Sequence, residues 1–371
     1  MTNGTDVHPL PMNGANSEDA TRRTTRRAYL AGAAGLGVGL AGCTGGGGGG
    51  GGGGSDSLSV AMVYTTAGKG DEGFNDSASE GLQRAKDELG IELTEAEPEG
   101  SEQYSTFLRK FAGGEHDLVC GLSFEMVTPM KQVASDFSDQ QFTIVDVALD
   151  APNVASYLYR EHEGCYLVGQ LNGRLTGQSF EAGAGSTNED LVVGFIGGKK
   201  NPVIEKFHAG YKAGVESLDA DVEFRSAYAG TWTSPSKGKS IAESMYDEGA
   251  DVVFPAAGGT GLGAFQAAQE RSRYAVGVDK EQSKATPEYS NVILGSMVKR
   301  VGEAFYRSIE NVSNGEHRGG EQTSLGLQEE GVDLVYGTDL GSEIPESVKS
   351  AVSGARSSIV DGDVEVPSTL G

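Results

Sequence analysis

From Leu58 onward, short apolar runs alternate with longer stretches whose apolar residues recur at helical spacing. The runs 58–64, 118–122 and 142–147 are nearly continuous in apolar residues, which is typical of strands buried on both faces. Stretches such as 161–175 and 203–218 predict helices between such strands. The alternation predicts an α/β fold with parallel sheets covered by helices. Because one small sheet cannot hold this many strands, we expect two doubly wound lobes.

We predict that this two-lobed domain covers residues 58–371. The first lobe is expected to combine about 58–150 with 275–310, and the second about 151–274 with 311–371. In doubly wound sheets, ligands bind outside the carboxyl ends of the strands. The residues that directly follow each predicted strand are therefore the candidates for function.

A basic and then apolar segment precedes the domain. Paired arginines at 22–23 and 26–27 come before the uncharged run 31–41, an order typical of an export signal, and the pairs match a twin-arginine signal. The run ends in Leu-Ala-Gly-Cys at 40–43, which is similar to the lipobox of bacterial and archaeal lipoproteins. We predict a signal peptide over 1–42 and a lipid on Cys43. An ordinary signal peptide with an incidental cysteine is the alternative.

Ten consecutive glycines, Gly45–Gly54, lie between Cys43 and the domain. Such a run offers no side chain to bury and behaves as a flexible coil that spans roughly 20 Å. We interpret residues 43–57 as a linker between a lipid anchor and the domain. A spacer expanded by slippage, with no tuned length, is the alternative.

The chain is strongly acidic, with 53 Asp and Glu residues against 29 Lys and Arg and a formal net charge of −24. Such a surface repels nucleic acid, so no nucleic-acid partner is predicted. The acids are scattered along the chain, which is typical of proteins from salt-loving organisms, where salt screens the repulsion. A calcium-binding protein is disfavoured because no D-x-[DN]-x-[DN]-G loop is present.

Two cysteines remain in the domain, Cys120 and Cys165, and neither belongs to a C-x-x-C motif. The five histidines do not cluster with them in sequence, so no metal site is predicted, and no cofactor either. We predict buried free thiols. An oxidised pair is left open, since spacing alone cannot exclude it.

Residues at the predicted strand ends form a set suited to binding. Phe74 and Asn75 lie in a polar, glycine-rich loop, and Phe207 lies in a helix beside basic residues. The remaining candidates are Gly258 and Gly259 in a glycine-rich turn, Asp279 at a strand end, and Lys299 at a strand-to-helix junction.

The two aromatic and the two charged candidates also have ordinary structural explanations. Phe74 can pack under its own turn, Phe207 can belong to an apolar helix face, and the two charged residues can form surface ion pairs. No nucleophile elbow or zinc-protease motif occurs in the sequence. Apolar walls with a few placed polar groups favour binding over catalysis.

Several of these stretches resemble the basic membrane protein family, the substrate-binding lipoproteins of ABC importers, whose best-understood members are similar to purine nucleoside receptors. The resemblance rests on 71–75, 193–198, 207–210, 250–261 and 276–279. It implies a type I periplasmic-binding-protein fold, with two lobes joined by several crossovers. It also implies ABC permease subunits as partners and a place on the extracellular face of the cell membrane.

The resemblance further implies roles for individual residues. Phe74 and Phe207 would sandwich a purine from opposite lobes, with Asn75 in the same loop as the first ring. Asp279 and Lys299 would hold the ribose hydroxyls. The backbone at Gly258 or Gly259 would lie near the sugar, and Asp146 is the candidate for the base edge. Gly73 stands where the family usually has serine, which puts that one side-chain contact in doubt.

We therefore expect a lipid-anchored nucleoside-binding protein of an ABC importer and not an enzyme. One alternative is a ligand-sensing receptor domain for a membrane signalling partner. Another is an enzyme that acts on nucleosides, such as a phosphorylase, which would need a phosphate site.

Overall fold

The computed structural model describes residues 57–371. The predicted signal peptide, Cys43 and the glycine run lie outside the described residues. The strands are β1 (Ser59–Val63), β2 (Glu92–Ala96), β3 (Leu118–Leu122), β4 (Gln141–Val145), β5 (Val154–Tyr159), β6 (Glu181–Ala182), β7 (Gly185–Ser186), β8 (Val192–Gly197), β9 (Glu223–Tyr228), β10 (Ala250–Ala256), β11 (Tyr274–Asp279), β12 (Ile293–Lys299), β13 (Gln322–Leu325) and β14 (Val332–Tyr336).

The helices are α1 (Phe74–Leu89), α2 (Tyr104–Ala112), α3 (Val127–Asp136), α4 (Glu161–Thr176), α5 (Pro202–Glu216), α6 (Pro235–Asp247), α7 (Leu262–Arg271), α8 (Gln282–Ala285), α9 (Val301–Ser313) and α10 (Glu346–Val360). None of the helices within 57–371 is both long and apolar enough to cross a membrane.

Two six-stranded sheets form the two lobes. The first has the strand order β13-β5-β4-β3-β1-β2 and the second β14-β12-β11-β10-β8-β9. All pairs in the first sheet are parallel. The second sheet is parallel except for the edge strand β14, which pairs antiparallel with β12. The predicted two-lobed α/β architecture is confirmed, and the antiparallel edge is an addition to it.

Helices cover both faces of each sheet because the central strands are apolar on both sides. In the first lobe, α2 and α3 pack on one face, and α1 and α9 on the other. In the second lobe, α6 and α7 cover one face, while α4, α5 and α10 cover the opposite one. The core that contains α1, α4, α5 and α9 continues from one lobe into the other.

Glycine allows two helix pairs to approach backbone to backbone. A Cβ on Gly81 of α1 would lie 2.1 Å from the carbonyl oxygen of Gly302 in α9. A Cβ on Gly214 of α5 would lie 2.2 Å from the carbonyl oxygen of Tyr166 in α4. Since real Cβ atoms do not approach so closely, these positions fix the spacing of the helices next to the cleft.

The chain crosses between the lobes three times. It leaves the first sheet after β5 at Arg160, returns after β12 at Arg300, and crosses again between β13 and β14 through residues 326–331. The crossings contact one another: the Arg160 guanidinium donates to Glu329 at 2.5 Å, and the Tyr159 hydroxyl donates to the carbonyl of Arg300 at 2.9 Å. The predicted crossovers are therefore adjacent segments of one hinge.

The strand order corrects the predicted division into lobes. Within 275–310, strands β11 and β12 belong to the second sheet, and only α9 packs in the first lobe. Strand β5, predicted for the second lobe, lies in the first sheet, as does β13. Hydrophobic pattern identifies a buried strand but not the sheet that it joins, so the partition could not be read from the sequence.

Cys120 and Cys165 are both buried and free. Burial raises the pKa of each thiol above its usual range. The predicted buried thiols are thus confirmed, and the two cysteines do not form a disulfide in this structure.

Candidate functional site

A cavity lies between the lobes, where the carboxyl ends of strands from both sheets meet. Its unoccupied volume is about 620 Å³ when the space at its mouth is included. The first lobe contributes Thr65, Ala67, Asp71, Phe74, Ser123, Phe124, Glu125 and Asp146. The second contributes Asn201, Val203, Ile204, Phe207, Trp232, Ala256, Ala257, Gly258, Val278, Asp279 and Lys299. This is the position that doubly wound sheets use for ligands.

Three strand ends at the cavity hold a non-glycine residue in the left-handed region. The φ angles are 85° at Ser123 after β3, 87° at Asp146 after β4 and 65° at Asp279 in β11. Such conformations cost on the order of 1–3 kcal/mol each and concentrate at functional sites. Here they turn two carboxylates toward the space between the lobes.

Aromatic rings from both lobes face the cavity around the Lys299 ammonium. The Nζ atom of Lys299 lies 4.7 Å from the ring centre of Phe74 and 5.4 Å from that of Phe207. Phe74 begins α1 in the first lobe, and Phe207 lies in α5 in the second. The two predicted aromatic residues therefore meet across the cleft.

Lys299 is buried and forms an ion pair with a carboxylate from the opposite lobe. Its Nζ lies 2.5 Å from Asp146 Oδ1 and 3.5 Å from Glu161 Oε1. Burial disfavours the ammonium, but Asp146, Glu161 and Asp279 outweigh it, so the pKa of Lys299 rises above its usual range. Burial raises the pKa of Asp146 to about 6, although Lys299 opposes that shift. Lys299 thus stays charged at neutral pH.

Asp279 carries a buried acceptor that no group within the described residues satisfies. Its Oδ1 has no hydrogen-bond partner, and burial raises the pKa of the carboxyl to about 7, against the opposing effect of Lys299. An unpaired buried acceptor costs on the order of 1–3 kcal/mol. A donor from a ligand would remove this cost.

The other two acidic residues of the cavity wall are already satisfied. Asp71 accepts from the backbone amides of Gly73 and Asn75 at 3.0 and 2.9 Å, which secures the first turn of α1. Glu125 accepts from the Tyr104 hydroxyl and from Lys199, each at 3.1 Å. Their carboxylates shape the wall and leave Asp279 as the carboxylate best placed to receive a new donor.

Two predicted site residues do not line the cavity. Asn75 is buried in the first lobe, where its Oδ1 accepts from the Thr65 amide and hydroxyl at 3.1 and 3.0 Å and its Nδ2 donates to Asp71 at 2.8 Å. Gly259 lies one residue beyond Gly258, which does line the cavity. Asn75 therefore positions Thr65 and Asp71 in the wall, because its own polar atoms are used within the lobe.

We expect Asn75→Ala to lower the free energy of unfolding by about 1–3 kcal/mol, because the buried Thr65 amide would lose its partner. Urea titration measures this loss. The matched control is Gln83→Ala on the exposed side of the same helix, which should change stability by less than about 0.5 kcal/mol. Equal stability of the two variants would contradict the assigned role.

Trp232 and the polar wall residues Asn201 and Glu125 were missed by the sequence analysis. Trp232 is the single tryptophan of the chain. Its indole covers Gly198, where a Cβ would lie 2.1 Å from the ring. The signal available in the sequence was the pair Gly197-Gly198 at the end of β8, since the second glycine leaves room for a large side chain close to the backbone.

A model of the protein family described as ABC transporter substrate-binding protein PnrA-like matches residues 58–369. Among individual relatives, the CD4+ T-cell-stimulating antigen of Listeria monocytogenes is 35% identical over 84% of this chain and 88% of its own length. The ABC transporter nucleoside-binding protein BmpA of Lactococcus lactis is 32% identical over 84% of this chain and 89% of its own length.

A solved structure shows the same fold. The solute-binding protein of an ABC transporter system from Aeropyrum pernix superposes with a TM-score of 0.74 at 27% identity. The match covers 85% of this chain and 94% of that protein. The two sheets and their crossovers are thus those of a periplasmic binding protein of type I.

Proposed function

This chain belongs to the family of PnrA-like ABC transporter substrate-binding proteins, and we propose that it captures purine nucleosides outside the cell for import. The lobes close on the nucleoside, and the closed protein delivers it to ABC permease subunits. We further propose that a lipid on Cys43, added after twin-arginine export, holds the protein at the extracellular face of the cell membrane. The acidic surface fits an organism that lives in high salt.

The observation that carries the proposal is the pairing of aromatic rings with an unsatisfied acceptor. Phe74 and Phe207 face the cavity from opposite lobes, and stacking on aromatic rings contributes roughly 1–3 kcal/mol per base. The vacant Oδ1 of Asp279 matches a hydroxyl donor. A nucleoside supplies a flat aromatic base and a ribose diol in one molecule.

The charges of the wall also support binding without a chemical step. Among the described wall residues, Lys299 is the cation and is paired with Asp146. A phosphorylase would need an available cation or a cluster of backbone amides for phosphate. The glycine-rich turn at Gly258 lines the same cavity as four acidic residues, which disfavours an anion there.

The fluorescence of Trp232 provides the test. Titration with purine nucleosides, pyrimidine nucleosides, free purine bases and ribose is expected to show the tightest binding for the purine nucleosides and weaker binding for the free purine bases. The expected dissociation constant is micromolar or lower. A micromolar constant corresponds to a binding free energy of roughly −8 kcal/mol. Calorimetry at several salt concentrations checks the same ranking. Tighter binding of ribose or of a pyrimidine nucleoside would refute the proposal.

We expect Phe207→Leu to weaken purine nucleoside binding by about tenfold or more, because leucine fills space but cannot stack on a base. Calorimetry measures the change. The matched control is Phe265→Leu in α7, a buried phenylalanine of the same lobe outside the cavity wall. If both variants retain the affinity of the unmodified protein, Phe207 does not contact the base.

A further inference from the structure

Glu161 is a fully buried carboxylate that lies behind the cavity and not in its wall. It begins α4 directly after the first crossing between the lobes. Its Oε2 lies 3.0 Å from Lys206 Nζ, and its Oε1 lies 3.5 Å from Lys299 Nζ. One carboxylate therefore serves two ammonium groups that come from different elements.

Both lysines contact residues that surround the site. Lys206 precedes Phe207 in α5, and its ammonium also donates to the Tyr159 carbonyl at 2.9 Å. Lys299 lies near the rings of Phe74 and Phe207. Glu161 consequently holds two groups in place. One is helix α5, which carries Phe207, and the other is Lys299, whose ammonium lies near both aromatic rings.

Glu161 is the carboxylate that pairs with Lys206, and it also lies close to Lys299. Lys206 and Lys299 contribute two positive charges, and Asp146 and Glu161 contribute two negative ones. Without Glu161, Lys206 would lose its carboxylate partner, and the net charge next to the cavity would become more positive by one unit. In a buried site such a charge acts strongly, since little water is present to screen it.

We infer that Glu161 is a positioning residue that sets the charge selectivity of the site: by neutralising Lys206 and Lys299 from behind, it lets uncharged nucleosides bind and causes their anionic derivatives to be rejected. The inference rests on the proposed function and deepens it. Besides Asp146, the wall carries carboxylates at Asp71, Glu125 and Asp279, so an anion meets repulsion and no unpaired cation. Nucleotides must then lose their phosphate in a hydrolytic step before capture.

Two probes of nearly equal shape separate charge from size. They are a purine nucleoside 5′-carboxamide, which is neutral, and the matching 5′-carboxylate. Titration of Trp232 fluorescence in the full chain gives the ratio of their affinities. We expect the unmodified protein to favour the carboxamide by about tenfold or more, because like charges placed close together repel one another.

Glu161→Gln is expected to reduce this ratio by about tenfold, through stronger binding of the carboxylate. Lys206→Gln is expected to increase this ratio, because Glu161 would then pair with Lys299 alone. The second variant keeps the inference testable if Glu161→Gln does not fold. The control is Asp251→Asn, a buried carboxylate of the same lobe bonded to Thr176 and the Asn188 amide. It should leave the ratio unchanged.

Each result decides a separate question. If no purine nucleoside binds the unmodified protein, the proposed function fails. If nucleosides bind but the two probes bind alike, the inference fails and the function stands. Rejection of both probes would mean that shape excludes 5′-substituents, which also overturns the inference. A folded Glu161→Gln variant with an unchanged ratio, or a ratio that moves equally in Asp251→Asn, would overturn it as well.

Discussion

Replacing Asp279 with asparagine is expected to weaken binding of purine ribosides by roughly ten- to hundredfold while stabilising the ligand-free protein above pH 7. The loss of affinity follows from the vacant, buried Oδ1, since a hydrogen bond to a charged acceptor contributes about 1.5–3 kcal/mol. Free purine bases lack the ribose, so their affinity for Asp279→Asn should be little reduced. Calorimetry with a riboside and its base measures the difference, and equal losses would contradict contact with the ribose.

The gain in stability follows from the raised pKa of Asp279. Burial moves this pKa from 3.8 to about 7 in the folded protein, so the folded state binds the proton more tightly than the unfolded state. Protonation therefore favours folding at low pH, and this contribution is lost as pH rises from about 4 to 7. Above that range the folded protein carries the cost of a buried carboxylate, which asparagine does not.

Urea titration at pH 4 and pH 8 checks the expected sign. We expect the free energy of unfolding of Asp279→Asn to exceed that of the unmodified protein by roughly 1–3 kcal/mol at pH 8. This is less than the full pKa shift would give, because the Asp279 side chain is partly exposed. The difference should shrink toward pH 4. Asp251→Asn is the matched comparison and should gain less at pH 8, because hydrogen bonds to both carboxylate oxygens oppose the burial that raises the pKa of Asp251. A loss of stability in Asp279→Asn at pH 8 would refute this account.

Leucine at position 81 is expected to lower the free energy of unfolding by more than about 3 kcal/mol, at or above the upper end for overpacked positions. The first carbon of any side chain there would meet the Gly302 carbonyl at 2.1 Å. Since the nearest atoms are all backbone atoms of Gly302, they cannot rotate away, and α1 and α9 must move apart. Gly81→Ala should give a smaller loss of the same sign, and Gln83→Leu on the exposed face of α1 is the control.

The same helix crossing affects the ligand site. Phe74 begins α1, and α9 starts two residues after Lys299. If Gly81→Ala folds, its displaced helices should change the separation of Phe74 and Lys299 and weaken nucleoside binding. Thermal unfolding and Trp232 titration on one sample measure both effects. Full stability in Gly81→Leu would mean that the helices are not packed as the structure has them.

Much of the site was predictable because parallel sheets present their carboxyl ends to ligands. Phe74 begins a helix, Asp279 and Lys299 each end a strand, and Phe207 lies in the helix that follows β8. The structure brings these four residues to one cavity. The partners of these residues were not predictable. Asp146 and Glu161 pair with Lys299 across 153 and 138 residues of chain, and no local pattern reports such a distant contact. Asn75 looked like a wall residue, since the sequence does not show that its amide is used within the lobe.

The secondary structure was predictable where strands are apolar and central. The edge strands β2 and β13 were missed because their residues are largely polar and exposed, so they lack the pattern of a buried strand. Strand β5 was missed although it is buried, because Ala155 and Ser156 weaken its apolar run. The order of strands in each sheet depends on contacts between distant parts of the chain, which explains why the lobe boundaries were wrong.

The three crossings have a consequence for how the protein is made. The first sheet joins residues 59–63 to residues 322–325, so neither lobe can be completed until the ribosome has synthesised most of the chain. Sheets assembled from such distant segments fold slowly, and the unfinished chain exposes strand edges. A cell that finishes folding before export avoids threading a partly folded domain through the membrane. The twin-arginine pattern that we predict in the leader directs folded proteins, and thus suits a domain whose two halves mature together.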